Sequence, residues 1–106
     1  MLSVKINSGT LTICDGLLSE LNERILVIRT DEYIASCDSG MCQKEKNFNI
    51  DIVDKIDDEN NFLFFKIDNI KIAVDIYTYN ILNYEDITIK KGIKIYVDEN
   101  YRYKRL

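Results

Sequence analysis

The chain contains no histidine, no proline and no tryptophan. Of these gaps the missing histidine excludes most. It removes the commonest general acid and base, the Ser-His and Cys-His nucleophile pairs, and every histidine-containing zinc site. No nucleophile and base can be paired, so a hydrolase or transferase is the least expected function. Cysteine is scarce and odd in number: three residues cannot all pair within one chain, and a reducing compartment would keep most of them free, so a disulfide scaffold is not expected. Positive charge is also short. Fourteen Lys and Arg stand against 18 Asp and Glu, a net charge of −4, which argues against general nucleic-acid binding, where clustered cations must neutralise phosphates. Long apolar runs are absent too. No uncharged stretch approaches the roughly 20 residues that span a bilayer, and Met1-Leu2-Ser3-Val4-Lys5 lacks the charged start and apolar run of a signal peptide. The expected address is cytoplasmic, without membrane association.

What is present describes a small globular chain. Of its 106 residues, 46% are hydrophobic and 30% charged. That supplies enough apolar surface for one core without disulfides or metal, and the length suits a single domain over residues 1–106. The expected fold class is α+β and mostly β, with mixed sheets, one N-terminal helix and a short helical turn. Val4-Lys5-Ile6 reads as a strand. Leu11, Cys14, Leu18 and Leu21, at spacings of three and four, predict a helix from about Ser8 to Asn22 with Ser8 as N-cap. The competing pattern there is a hairpin turn at Asn7-Ser8-Gly9 followed by the strand formers Thr10 and Thr12.

Beyond Arg24 the pattern is of strands. Ile25-Leu26-Val27-Ile28 reads as buried, and Tyr33-Ile34-Ala35 as its extension or as another strand. Phe48, Ile50, Ile52 and Val53 mark a further one. Phe62 to Ile67 and Ile70 to Ile76 flank Asp68-Asn69, residues that tolerate a tight turn, and predict a hairpin with Ile70, Ile72, Val74 and Ile76 on one face. Thr78 to Leu82 suits a helical turn that places Leu82 in the core. Ile87-Thr88-Ile89 and Ile93 to Val97, around Lys91-Gly92, close the fold, and a basic tail runs from Tyr101 to Leu106.

In this order the chain resembles the HesB-like domain of the A-type iron-sulfur carriers. Three stretches carry the resemblance. Ile25 to Arg29 runs toward a loop bearing cysteine and glycine; Phe65 to Asp75 is similar to a central hairpin whose apolar strand ends in Val74-Asp75; and Ile81-Leu82, Asp86 to Ile89 and Gly92 to Ile95 resemble a closing pair of strands. The resemblance implies iron or an iron-sulfur cluster as cofactor. The chain departs from the family where the carriers end in Cys-Gly-Cys: Asp98 to Tyr103 contains no cysteine. Asp38 also intervenes between Cys37 and Ser39-Gly40. A standard cluster site would be at least two ligands short.

The chemistry therefore centres on Ser36-Cys37-Asp38-Ser39-Gly40-Met41-Cys42. Thiolates are nucleophiles and soft metal ligands, and the four residues between Cys37 and Cys42 leave slack for their sulfurs to meet. Three readings follow. In the first, a divergent HesB-like accessory protein binds iron, another soft metal or an incomplete cluster through Cys37 and Cys42, with missing ligands supplied across a homodimer. In the second, a metal-free module recognises a protein partner and the cysteines are incidental. The third is a Cys37–Cys42 thiol redox switch. Cys14, among leucines, is expected to be structural. Asp57-Asp58-Glu59-Asn60 lacks the ligand spacing and glycine of a calcium loop and reads as a solvated turn. Tyr77, Tyr79, Tyr84, Tyr96, Tyr101 and Tyr103 are candidates for a binding surface.

Overall fold

Asn7 adopts a left-handed φ of 57°, and there the chain reverses. In the computed structural model, which describes residues 1–91 and 95–97, β1 (Leu2–Ile6) pairs antiparallel with β2 (Gly9–Ile13), Leu2 opposite Ile13 and Ile6 opposite Gly9. The helix expected from Ser8 to Asn22 is thus a hairpin arm followed by a single helical turn, α1 (Asp15–Leu18). The period of two prevailed because it buries more. Val4, Ile6, Leu11 and Ile13 all face the core, while Thr10 and Thr12 between them suit a pleated, half-exposed face. Leu17 and Leu21 then plug the core from α1 and the turn that follows it. Gly9 is required for close approach: a Cβ there would lie 2.3 Å from the Leu82 carbonyl oxygen and 2.6 Å from that of Glu85.

The remaining elements are β3 (Ile25–Asp38), β4 (Met41–Val53), a 3-10 turn at Glu59–Asn61, β5 (Phe62–Ile67), β6 (Ile70–Asp75), α2 (Ile76–Ile81), β7 (Ile87–Lys91) and β8 (Ile95–Val97). They complete two mixed four-stranded sheets of order β1-β2-β7-β8 and β4-β3-β6-β5. Parallel pairing joins β2 to β7 and β3 to β6, and the other ladders are antiparallel. The fold is therefore a mostly-β α+β fold. Its core forms where the sheets meet: Ile6, Leu11 and Ile89 from one, and Leu26, Ile28 and Ile72 from the other, belong to one cluster.

The predicted hairpin around Asp68-Asn69 is present, with Asp68 at φ 54°. Its second strand is one residue shorter than expected. Asp75 ends it because its carboxylate oxygen Oδ1 accepts the Thr78 amide proton at 2.9 Å, making Asp75 the N-cap of α2. Ile76 therefore starts a helix and is 52% exposed instead of joining the core face. Leu82, after α2, is fully buried as its position predicted. Gly92, Ile93, Lys94 and the basic tail from Tyr101 to Leu106 lie outside the described residues. No helix among the described residues is long and apolar enough to cross a membrane.

Candidate functional site

The cysteine segment is not a loop. β3 pairs with β6 only from Ile25 to Ile28, opposite Lys71 to Val74. At that point Asp75 turns its own chain into α2, and its Oδ2 accepts the Thr30 amide proton at 3.2 Å. From Asp31 onward the strand partner of β3 is β4, as far as Asp38 opposite Met41. The result is a two-stranded arm continuing outward from the sheet. A 14-residue strand spans about 46 Å at the usual rise per residue, close to the 50 Å long dimension of the molecule. Every described side chain between Asp31 and Asn47 is exposed.

Ser39 and Gly40 form the tip with φ of 52° and 80°, the left-handed pair that a two-residue hairpin turn requires. Asp38 and Met41 flank this turn, so the next pair inward, Cys37 and Cys42, falls at a position where opposed strands come closest. Their Cα atoms are 4.0 Å apart and their sulfurs are bonded. A register break makes this pairing possible. Ile34 lies opposite Lys44 but Ser36 opposite Gln43, so Ala35 is an extra residue on β3. Were Ala35 paired regularly opposite Gln43, Ser36 would face Cys42 and Cys37 would face Met41. Sequence reasoning placed both cysteines in one flexible segment and missed the bulge; the only hint of a turn was Ser39-Gly40.

Side chains around the pair are few. Lys44 stands two residues from Cys42 on the same face of β4 and makes no ion pair among the described residues. On the opposite face Tyr33 donates its hydroxyl proton to Glu45 Oε2 at 3.2 Å. Near the base, Lys46 Nζ meets Glu85 Oε1 at 3.1 Å, tying the arm to the segment after α2. Tyr33, Ile34 and Met41 add apolar surface, at 49%, 60% and 79% exposure.

Cys14 lies elsewhere. It is the N-cap residue of α1, at the end of β2 in the other sheet, half-buried against the core, and its amide donates to the Ile89 carbonyl at 3.1 Å. No group of three metal-ligating side chains occurs among the described residues. Two opposed thiols on an exposed strand pair do not complete a tetrahedral iron or iron-sulfur site, so the residues of one chain do not fit that cofactor.

Other features are weaker. A shallow cavity of about 360 Å³ beside β5 is lined by Arg29, Asp58, Phe62, Asp75 and Tyr77, among others. Arg29 stacks 5.5 Å from the centre of the Phe62 ring, but two carboxylates share the cavity and oppose an anionic ligand. Of the candidate tyrosines whose side chains are described, Tyr77 and Tyr84 are exposed and Tyr79 packs on the core, while Tyr101 and Tyr103 lie outside the described residues. No family model, no curated protein and no solved structure matches this chain.

Proposed function

We propose that this chain is a HesB-like accessory domain whose working site is a dithiol–disulfide pair, Cys37 and Cys42, carried on a projecting β-hairpin. One observation carries the reading: the bulge at Ala35 and the turn at Ser39-Gly40 together bring two exposed cysteines into direct opposition. Closing the pair by exchange with a thiol–disulfide couple releases two electrons and two protons, and opening it takes them up. The HesB-like part rests on the element order. In support, a strand leading toward the cysteines, a hairpin ending in Val74-Asp75, a helical turn followed by Leu82, and two final strands occur in that order.

Equilibrating the purified chain across buffers of defined reduced-to-oxidised glutathione ratio, then alkylating and mapping by mass spectrometry, tests this. A single two-electron transition confined to Cys37 and Cys42, with Cys14 alkylated throughout, is expected. If the pair stays reduced at every ratio, the redox reading fails.

Two reduced thiolates are also half of a four-thiolate metal site, which a second copy meeting at the arm tip would complete. Anaerobic reconstitution with iron and sulfide separates this from the redox reading: coloured protein with bound iron, increasing with protein concentration, would favour a shared metal. The exposed Tyr33, Ile34 and Met41 favour contact with a protein partner at the same arm. If Cys→Ser changes at both positions left partner capture intact, the thiols would be incidental to it.

A further inference from the structure

Resting on the redox reading, we infer that the two cysteines have different roles: Cys42 attacks a disulfide on the surface of a partner protein, and Cys37 resolves the intermediate. The difference lies in their neighbours. Lys44 shares a face of β4 with Cys42, two residues away, and its amine has no carboxylate partner among the described residues. It sits opposite Ile34, which cannot neutralise it. Cys37 has no cation on its own strand from Thr30 to Asp38, and Asp38, paired with Met41, lies on the opposite face. A cation on the same face stabilises a thiolate, so the placement of Lys44 favours Cys42 as the attacking sulfur.

The shape of the site selects the substrate class. Neither cysteine lines the cavities beside β4 and β5, and the pair stands at the end of a projecting arm whose described side chains are all exposed. A projecting tip reaches a disulfide held on another macromolecule, and it offers no enclosure for a small one.

The steps balance. The Cys42 thiolate attacks one sulfur of the partner's disulfide; a Cys42–partner S–S bond forms, the partner's own S–S bond breaks, and one partner thiolate leaves. The Cys37 thiolate then attacks Cys42 Sγ. The Cys37–Cys42 bond forms, the mixed disulfide breaks, and the second partner thiolate leaves. Two electrons and two protons pass from the arm to the partner, which ends as a dithiol.

Single-cysteine variants test the assignment without any internal ring, so their result is independent of whether Cys37 and Cys42 cycle together. Cys37→Ser and Cys42→Ser proteins are reacted with 4,4′-dithiodipyridine at pH 7, adducts being located by peptide mass to set Cys14 aside. The thiol left in Cys37→Ser should react at least about threefold faster than that left in Cys42→Ser, and adding Lys44→Gln should abolish the difference. Equal or reversed rates, or no effect of Lys44→Gln, would overturn the division of roles.

With disulfide-bonded insulin as the probe protein, Cys37→Ser should accumulate a mixed disulfide and Cys42→Ser should not. The reduced natural chain should instead end with its own ring closed and insulin reduced. If no adduct with insulin forms while oxidised glutathione reacts readily, the protein-disulfide assignment is wrong. Failure of the ring to close in the glutathione titration would instead remove the redox reading itself.

Discussion

The Thr30 and Thr78 hydroxyl oxygens lie 2.6 Å apart, with Thr30 only 4% exposed and Thr78 fully buried, at the point where β3 parts from the sheet and begins the arm. Thr78 Oγ1 is also 3.4 Å from the Ile28 carbonyl oxygen, and Asp75 accepts the amides of both threonines. The root of the arm is therefore a small buried polar junction, and its energetics are open to measurement.

Replacing Thr78 by Val keeps the shape but leaves the Thr30 hydroxyl without its partner at a buried position. Loss of about 1–3 kcal/mol in urea unfolding is expected, with the Thr30→Val, Thr78→Val pair recovering much of it because neither buried hydroxyl then remains. Additive losses in the double-mutant cycle would show that the hydroxyls do not couple.

Asp75→Ala removes the N-cap of α2 and the acceptor for the Thr30 amide together. The expected cost is about 2–3 kcal/mol, above the roughly 1 kcal/mol of a cap alone. Equilibrium denaturation measures it, and amide exchange at Thr30 and Thr78 should quicken most.

At Gly9 even one methyl group collides with the backbone. A Cβ 2.3 Å from the Leu82 oxygen cannot be relieved by rotating a side chain, so Gly9→Ala should destabilise by about 3 kcal/mol, at the upper end for overpacking. Gly16→Ala is the control, since nothing lies within 4 Å of its Cβ position. Thermal unfolding of the two variants should differ clearly.

Reducing Cys37–Cys42 removes a short cross-link worth about 2 kcal/mol by loop-closure entropy. The arm meets little of the core, so the loss should fall on the arm. Hydrogen exchange should accelerate from Asp31 to Asn47 while amides of Leu26, Ile72 and Val74 keep their protection. Equal acceleration in both regions would show that the arm and core unfold as one unit.

Turn and ring should be linked. Gly40→Ala places a side chain at φ 80°, costing about 1 kcal/mol in the left-handed region. Because the turn brings the thiols together, the disulfide-to-dithiol ratio at fixed glutathione potential should fall about fivefold. An unchanged ratio would mean that the pairing is set by the strands and not by the turn.

Much of the strand pattern was legible where burial on one face imposes a strict period of two. Ile70, Ile72 and Val74 follow that alternation, although Ala73 between them is buried as well, and the Asp68-Asn69 turn is equally legible, because these signals come from neighbouring residues. The errors arose where two periods overlapped. Leu11, Cys14, Leu18 and Leu21 satisfy a helix, yet Leu11 and Ile13 are fully buried as alternate residues of β2 beside β7. Ile76 kept strand phase with Val74, but the carboxylate of Asp75 ended the strand one residue earlier and started a helix at Ile76.

The candidate site divides in the same way. Sequence alone determined that chemistry here must do without histidine, that three thiols are present, and that two of them flank Ser39-Gly40. Which thiols meet was decided by tertiary structure. The length of β3 beyond its pairing with β6, the extra residue at Ala35 and the seating of Thr30 against Thr78 each depend on residues distant in sequence. The register of an antiparallel pair is a collective property of both strands and their turn, and one inserted residue changes every partner beyond it.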